Sequence, residues 1–367
     1  MKRNTIFLPK TIINPHTHGR DLNEKYKTTV KQVLQESLLG NIGISIFMPN
    51  TDPSITTIGA LDNYLTIIKK AARDLGIADS QYVYFGLTDD NLDKCSAALE
   101  YPEVIGLKGY PLGKDGSVTT GKCGFIKSKT MIEGMKLVAE KNKVIAFHCD
   151  DPDIIAKSGN SIEAEVNYVE SVIETAMRVP NVKVVICHVS CRESCELILT
   201  AQKNGMQIAI EISPRNLFFS CEPSTWNKDI HPNFYHCYNV LRSWYHVLYL
   251  RNLLCFPNSL VFIGTDDAQH LPFEKLGKRA AGMPGNREMV ACIITLARKK
   301  NIYNIPDNQV QNLISYNAAS FFNIPISHEL EEYVIEEKFV DYDYNNGKVV
   351  NPWKGTALFF PARKNLK

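Results

Sequence analysis

The tripeptide His16-Thr17-His18 follows the first apolar run of the chain, residues 11–15, and has the residue types and spacing of a metal-binding pair. Successive residues of a strand point to opposite sides, so two histidines two positions apart share one face. Two imidazole nitrogens on one face can bind a single cation. The same tripeptide is also typical of two polar residues in a loop, so its meaning depends on the rest of the chain.

Later segments place further polar residues where apolar runs end, at Lys108, His148, His188 and Asp266. Each has an ordinary alternative. A histidine such as His188 after a core strand is commonly a hydrogen-bonded core residue, Lys108 could extend its amine to solvent, and Asp266 could cap the next helix. What favours a joint site is that every one of these residues stands at the end of a predicted strand.

The segments that must position these residues alternate between the hydrophobic patterns of strands and of helices. Short β-branched runs predict strands at residues 11–15, 42–48, 81–87, 104–108, 143–148, 182–188, 206–212 and 260–265, and apolar spacing near 3.6 predicts helices at 26–39, 56–75, 128–141, 161–178 and 191–204. Eight strands alternating with helices predict an α/β fold, a (β/α)8 barrel that carries its active site at the C-terminal strand ends. A doubly wound sheet is the alternative, but it would need a Gly-rich phosphate turn after an early strand.

Composition indicates a globular protein. The 367 residues are 44% hydrophobic and 22% charged, with a net charge of +2, which implies no strong attraction to nucleic acid or to an anionic membrane. We expect one domain, residues 1–367, with the tail 331–367 packed on the barrel. No segment resembles a signal peptide or is long enough to span a bilayer, and the ten cysteines lack a C-x-x-C pair. We therefore expect reduced thiols and a cytoplasmic location; a thiolate zinc site at Cys187, Cys191 and Cys195 is the disfavoured alternative.

Two segments between predicted strands have compositions typical of functional loops. Residues 114–121, after the fourth predicted strand, are Gly-rich and polar, and could form either a mobile lid over the site or an ordinary surface loop. Residues 215–256 are unusually aromatic and predict a long excursion after the seventh strand, at the face where loops are often functional.

The motifs at the strand ends resemble those of the cyclic amidohydrolases and, among them, the dihydroorotase family. The matching segments are His16-x-His18-x-Arg20-Asp21, Phe47-Met48-Pro49-Asn50-Thr51, Lys108, His148, Cys187-His188-Val189-Ser190, Thr265-Asp266-Asp267-Ala268-Gln269-His270 and Gly282-Met283-Pro284-Gly285. The resemblance extends over nearly the whole chain. The early position of His16 resembles the compact bacterial subtype, whereas the segments around His188 and Gly282 resemble the long-chain subtype.

The resemblance implies a binuclear zinc centre and reversible hydrolysis of dihydroorotate to carbamoyl aspartate, a step of pyrimidine biosynthesis. By resemblance, His16 and His18 hold one zinc ion together with Asp266, and His148 and His188 hold the other. A carboxylated Lys108 and a hydroxide bridge the two ions. Asp266 also serves as the catalytic general base and acid. The implied substrate-binding residues are Arg20, Asn50, His270, Ala281 and Gly282.

Charge counting is consistent with a carboxylated lysine. An ammonium on Lys108 would repel two divalent cations, whereas desolvation favours its neutral amine, which can add carbon dioxide. Two ions bring four positive charges, and the carbamate, Asp266 and hydroxide together remove three. The remaining positive charge suits an anionic substrate.

Three alternatives stay open at the level of the sequence. A hydantoinase or allantoinase would use the same metals on a different ring, and a non-catalytic paralogue would keep the fold as a partner subunit. The pair Arg20 and Asn50 favours a carboxylate-bearing substrate, although Arg20 could form a surface ion pair and Asn50 could be a turn residue. The predicted partner is a small molecule, neither nucleic acid nor membrane, and a homodimer is the candidate assembly.

Overall fold

A parallel eight-stranded sheet forms the centre of the molecule in the computed structural model, which describes residues 5–77, 80–114, 123–257, 259–299 and 302–364. The strands follow one another in chain order, each paired with the next. In the described residues the strands are β1 Thr5–Pro9, β2 Ile13–Thr17, β3 Ile44–Phe47, β4 Tyr82–Gly86, β5 Val104–Gly109, β6 Val144–Phe147, β7 Lys183–Ile186, β8 Gln207–Ile212, β9 Val261–Ile263, β10 Leu330–Phe339 and β11 Ala357–Arg363. Strands β2–β9 form the central sheet, so the predicted (β/α)8 barrel is confirmed.

Helices cover the outside of this sheet. Their bounds are α1 Val30–Leu39, α2 Ile58–Asp74, α3 Leu92–Ala98, α4 Ser128–Glu140, α5 Pro152–Ser158, α6 Ile162–Ala176, α7 Arg192–Lys203, α8 Pro214–Phe218, α9 Trp244–Leu253, α10 Pro272–Gly277, α11 Met289–Arg298, α12 Asp307–Gln311 and α13 Asn317–Phe322. Side-chain caps define several starts: Thr29 accepts from the backbone of Gln32 before α1, and Ser161 accepts from Ala164 before α6. The aromatic excursion 215–256 contains α9, a ten-residue helix.

The barrel closes at the predicted metal-binding residues. The backbone N–H of His18 donates to Asp267 O at 3.0 Å, and the N–H of Asp266 donates to His16 O at 3.0 Å. These bonds join the end of β2 to the turn after β9, beside the isolated bridge between Thr17 and Asp267. These bonds therefore fix the position of His16 and His18, at the end of β2, relative to Asp266, after β9.

Apolar side chains fill the lower half of the barrel. Alternate residues of the strands, such as Ile46, Tyr84 and Phe262, point inward, and Phe322 of α13 packs against them from below. In β5 the same alternation sends Leu107 outward into the layer beneath the helices and Lys108 inward. The polar site therefore lies above an apolar plug.

The two ends of the chain meet in a second sheet. Strand β10 pairs antiparallel with both β1 and β11. The amide of Phe359 donates to Thr295 Oγ1 of α11, and the buried indole of Trp353 donates to Pro284 O.

The assignment of residues 1–367 to one domain stays a prediction. No helix of the described ranges combines the length and apolar character that crossing a membrane requires. The candidate lid, residues 114–121, lies outside the described residues from position 115 onward.

Candidate active site

A cavity of about 260 Å³ opens at the C-terminal end of the barrel strands. Ten of the eleven residues predicted for the site line it: His16, His18, Arg20, Asn50, His148, His188, Asp266, His270, Ala281 and Gly282. The eleventh, Lys108, is fully buried. The structure therefore brings together side chains that lie up to 266 positions apart in the chain.

One cluster of candidate ligand atoms centres on the carboxylate of Asp266. Its Oδ1 lies 3.1 Å from His16 Nε2 and 2.9 Å from His18 Nε2. Zinc binds such atoms at about 2.0–2.2 Å, so ligand atoms around one tetrahedral ion are roughly 3.3 Å apart. His16 Nε2, His18 Nε2 and Asp266 Oδ1 therefore lie close enough together to bind one zinc ion.

A second cluster lies beside the first. His148 Nδ1 faces His188 Nε2 at 3.1 Å, with the ring centroids 4.8 Å apart. The ring of His188 is 5.4 Å from that of His16, so the two clusters are neighbours. His16, His188 and Asp266 also bring ligand atoms within 4.8 Å of one another. This arrangement of imidazole and carboxylate donors fits two adjacent metal ions.

Lys108 lies below these donors with its amine in a weakly polar environment. Its Nζ donates to Cys187 Sγ at 2.7 Å and lies 5.2 Å from the centre of the Tyr110 ring. No ion pair joins this amine to a carboxylate in the described part of the chain. Cys187 is therefore a barrel-floor residue, whereas Cys191 and Cys195 are buried at the start of α7. All ten cysteines are free thiols.

Three supporting residues were missed by the sequence analysis. Glu211 Oε1 accepts from His16 Nδ1 at 2.7 Å, Asp150 Oδ2 lies 2.9 Å from His148 Nε2, and Arg215 Nη2 donates to Asp266 Oδ2 at 2.6 Å. Each partner lies at the atom of the candidate ligand residue that faces away from the cluster, which leaves the opposite atom turned toward the cluster. The contact between His148 and Asp150 has ion-pair distance without hydrogen-bond geometry. The carboxylate of Glu211 interrupting the apolar strand β8 was the available signal.

Electrostatics in the cavity follow from burial and from these partners. Burial lowers the pKa of His16, but Glu211 and Asp266 outweigh it and raise that pKa well above its usual value. Burial opposes ionisation of Asp266, yet Arg215 and His16 hold the pKa of its carboxyl well below the usual range. Burial lowers the pKa of His18 to about 3. The site thus keeps Asp266 ionised and His18 neutral, which are the forms that bind cations, whereas His16 has to lose a proton before it can bind one.

Backbone geometry at two of the candidate ligands is unusual. His188 has a φ of 39° and Asp266 a φ of 47°, both in the left-handed region that non-glycine residues rarely adopt. Such conformations persist where the surrounding structure dictates them, and they concentrate at functional sites. At Asp266 the backbone bond to His16 O supplies part of that constraint.

The residues predicted to bind substrate line the cavity wall beside the clusters. Arg20 Nη1 donates to Asn50 O at 3.3 Å, and Asn50 Oδ1 accepts from His18 Nδ1 at 2.8 Å, so Asn50 also orients a candidate ligand. The N–H of Gly282 donates to His236 O at 3.0 Å and is already used within the protein. Gly282 has a φ of 144°, and a Cβ there would lie 2.4 Å from Ala268 O, so only glycine fits.

Known proteins with similar sequence or fold include dihydroorotases and hydantoinases. A dihydroorotase of Fusobacterium nucleatum is 25% identical over 345 residues, covering 89% of this chain and 75% of its own length. A dihydroorotase of Saccharomyces cerevisiae, solved with 5-fluoroorotic acid, superposes with a TM-score of 0.80 at 18% identity, covering 98% of this chain and 99% of its own. An L-hydantoinase of Arthrobacter aurescens gives 0.80 at 17% identity, covering 97% and 82%. No family model matches the chain. The chain thus shares its fold with solved dihydroorotases and hydantoinases.

Proposed function

We propose that this chain is a dihydroorotase, a hydrolase that acts on a cyclic amide and reversibly converts (S)-dihydroorotate to N-carbamoyl-L-aspartate. The observation that carries the proposal is the convergence of four histidines and Asp266 above the buried Lys108, with Arg20 on the adjoining wall. Relatives named dihydroorotase that align with most of the chain support the same activity. The reaction would serve pyrimidine biosynthesis.

The donor set fits two zinc ions. His16, His18 and Asp266 would hold the first, and His148 and His188 the second, because their candidate ligand atoms already lie about 3 Å apart. Zinc bound here would polarise the ring carbonyl and lower the pKa of a water molecule, so that a nucleophile exists near neutral pH. Glu211 and Asp150 would keep the imidazoles in the required orientation.

Lys108 would complete this centre as a carbamate. Its amine is enclosed below the four histidines, and its hydrogen-bond partner is the thiol of Cys187. The lone pair of a neutral amine attacks carbon dioxide, the new N–C bond forms, and one N–H proton is released. The product carries two oxygens and one negative charge, which suits a position shared by two cations.

Asp266 would move the proton in the reaction. Its carboxylate can accept a proton from the attacking water and return it to the ring nitrogen that leaves, acting first as base and then as acid. Arg215 binds Oδ2 at 2.6 Å and so holds the carboxylate with Oδ1 toward the histidines. The proton would therefore pass at the atom that faces the cavity.

Arg20 favours dihydroorotate over an uncharged ring. Its guanidinium lines the cavity, and a planar pair of N–H donors matches a carboxylate. Hydantoins lack that carboxylate, so a hydantoinase would have less use for a buried arginine at this position. His270 lines the same cavity and would supply a further polar contact.

Two measurements on one preparation test the proposal. Zinc content near two ions per chain, together with turnover of dihydroorotate well above that of hydantoin, is the expected result. Turnover of hydantoin alone would assign the chain to the hydantoinases, and a zinc-free inactive protein would indicate a non-catalytic paralogue. We also propose a cytoplasmic location, consistent with ten free thiols, and a homodimer, which sedimentation would test.

A further inference from the structure

We propose that Lys27 determines the preference for an anionic substrate, by holding two carboxylates of the cavity wall away from Arg20 and His270. This inference rests on the proposed function and names a residue that the motifs do not include. Lys27 lies on the segment between β2 and α1 and lines the cavity together with Glu24.

Arg20 and His270 each have buried polar atoms that form no hydrogen bond within the described residues. Arg20 Nε and both ring nitrogens of His270 are buried, and in the described residues they have no hydrogen-bond partner. Buried polar groups without a partner are unfavourable, so their presence beside a cavity indicates that a ligand completes them. Donors on a cavity wall next to candidate metal ligands suit a carboxylate.

Two protein carboxylates lie close enough to compete for these donors. Glu24 Oε2 is 3.7 Å from Arg20 Nη1, and Glu274 Oε2 is 3.6 Å from His270 Nδ1. Both are loose contacts, within ion-pair distance but longer than a good hydrogen bond. A modest rotation of Glu24 would turn its loose ion pair with Arg20 into a direct hydrogen bond and occupy a donor that the substrate needs. Glu274 Oε2 is also held by the backbone N–H of Leu271, which donates to it at 3.0 Å.

Lys27 opposes that rotation. Its Nζ lies 2.6 Å from Glu24 Oε1 and 3.1 Å from Glu274 Oε1, so a single buried ammonium binds both carboxylates on the side away from Arg20 and His270. The side chain of Lys27 is 9% exposed, which limits screening by water. The result is a row of alternating charges, in the order Arg20, Glu24, Lys27, Glu274, which ends beside the neutral ring of His270.

Removing the ammonium would therefore harm binding in two ways. Glu24 stands four residues after Arg20 and would tighten its loose ion pair with that guanidinium, because it is the nearest remaining cation. The wall would also change from balanced charge to one net negative charge, which repels a carboxylate. Both effects act on the anionic substrate and leave the metal ligands untouched.

The test is a pair of coupled substitutions, Lys27→Met and Glu24→Gln, measured alone and together. We expect Lys27→Met to raise KM for dihydroorotate roughly ten-fold or more, since a charge-assisted hydrogen bond is lost, with kcat within about two-fold and zinc content unchanged. Adding Glu24→Gln should restore KM to within about three-fold of wild type, because the amide cannot compete as an anion. Lys31→Met, which removes the half-exposed partner of Asp74, is the matched control and should change nothing.

The outcomes separate the inference from the proposed function. A wild-type protein with bound zinc that does not turn over dihydroorotate contradicts the function. An active wild type in which Lys27→Met leaves KM unchanged, or in which Glu24→Gln fails to restore it, contradicts the role of Lys27. If Lys27→Met does not fold, Glu24→Gln alone decides, because our proposal expects an equal or lower KM and a purely structural ion pair expects a higher one.

Discussion

The amine of Lys108 donates to the sulfur of Cys187 at 2.7 Å, and both groups are enclosed at the floor of the cavity. A thiol is a weak acceptor, so it gives an ammonium much less stabilisation than a carboxylate would. This enclosed nitrogen below the candidate histidine ligands is the atom at which we propose that a carbamate forms.

Lys108→Ala should abolish binding of two zinc ions per chain, because alanine cannot form the carbamate whose oxygens would be shared by the two ions. Metal analysis after dialysis measures this directly, and small carboxylic acids should restore part of the activity by occupying the vacated space. Lys143→Ala is the control: that amine binds Tyr101 O and Val104 O, away from the cavity, so its loss should affect stability and leave zinc content intact. Full zinc occupancy in Lys108→Ala would refute the bridging role.

Glu211→Gln should weaken zinc binding while keeping the fold. The amide oxygen can still accept from His16 Nδ1, but it lacks the charge that makes the imidazole a better ligand. Loss of such a partner typically lowers metal affinity by about 10–100-fold. Competition with a chromogenic chelator measures the affinity. Glu288→Gln, at a buried carboxylate that accepts from Tyr342 and Asn351, serves as the control and should retain wild-type affinity.

Several strands were predictable from sequence because they carry near-continuous apolar runs, such as those of β6 and β7, as strands covered on both faces do. The eight predicted runs all overlap β2–β9. Helix α9 was harder to see, because aromatic residues fall on its exposed face as well, with Tyr245 54% exposed. The sequence of α9 therefore shows no apolar stripe with helical spacing, which is the pattern that predicts an amphipathic helix.

Site residues that belong to a motif could be proposed from the sequence. The residues that orient them or balance their charge could not. His16 and His18 stand in a recognisable tripeptide, but Arg215 and Lys27 are single charged residues whose importance depends on partners 51 and 247 positions away. Ordinary charged residues are usually solvated, so nothing in the sequence separates these from the rest. Only the folded barrel brings them to the cavity.

Asp266→Asn should leave a folded protein that still binds zinc at least in part, with almost no turnover. The amide fills the same space beside His16 and His18 but cannot accept the proton. Loss of general acid–base catalysis typically lowers the rate by about 10²–10⁴-fold. The measurement is kcat with dihydroorotate, alongside metal content. Activity near that of wild type would remove Asp266 from its catalytic role.

Arg20→Lys should weaken substrate binding far more than it weakens zinc binding. Lysine keeps the charge but loses the planar pair of donors, so the change is not conservative at a carboxylate site. A charge-assisted hydrogen bond contributes about 1.5–3 kcal/mol, so kcat/KM should fall roughly ten- to hundred-fold or more. Zinc occupancy should stay the same, because Arg20 contacts Asn50 and Glu24 rather than the candidate ligand atoms. Arg298→Lys, at an arginine paired with Asp307, should leave both quantities unchanged. If dihydroorotate kinetics were unaffected while hydantoin turnover collapsed, the cavity would have to be reassigned to a hydantoin substrate.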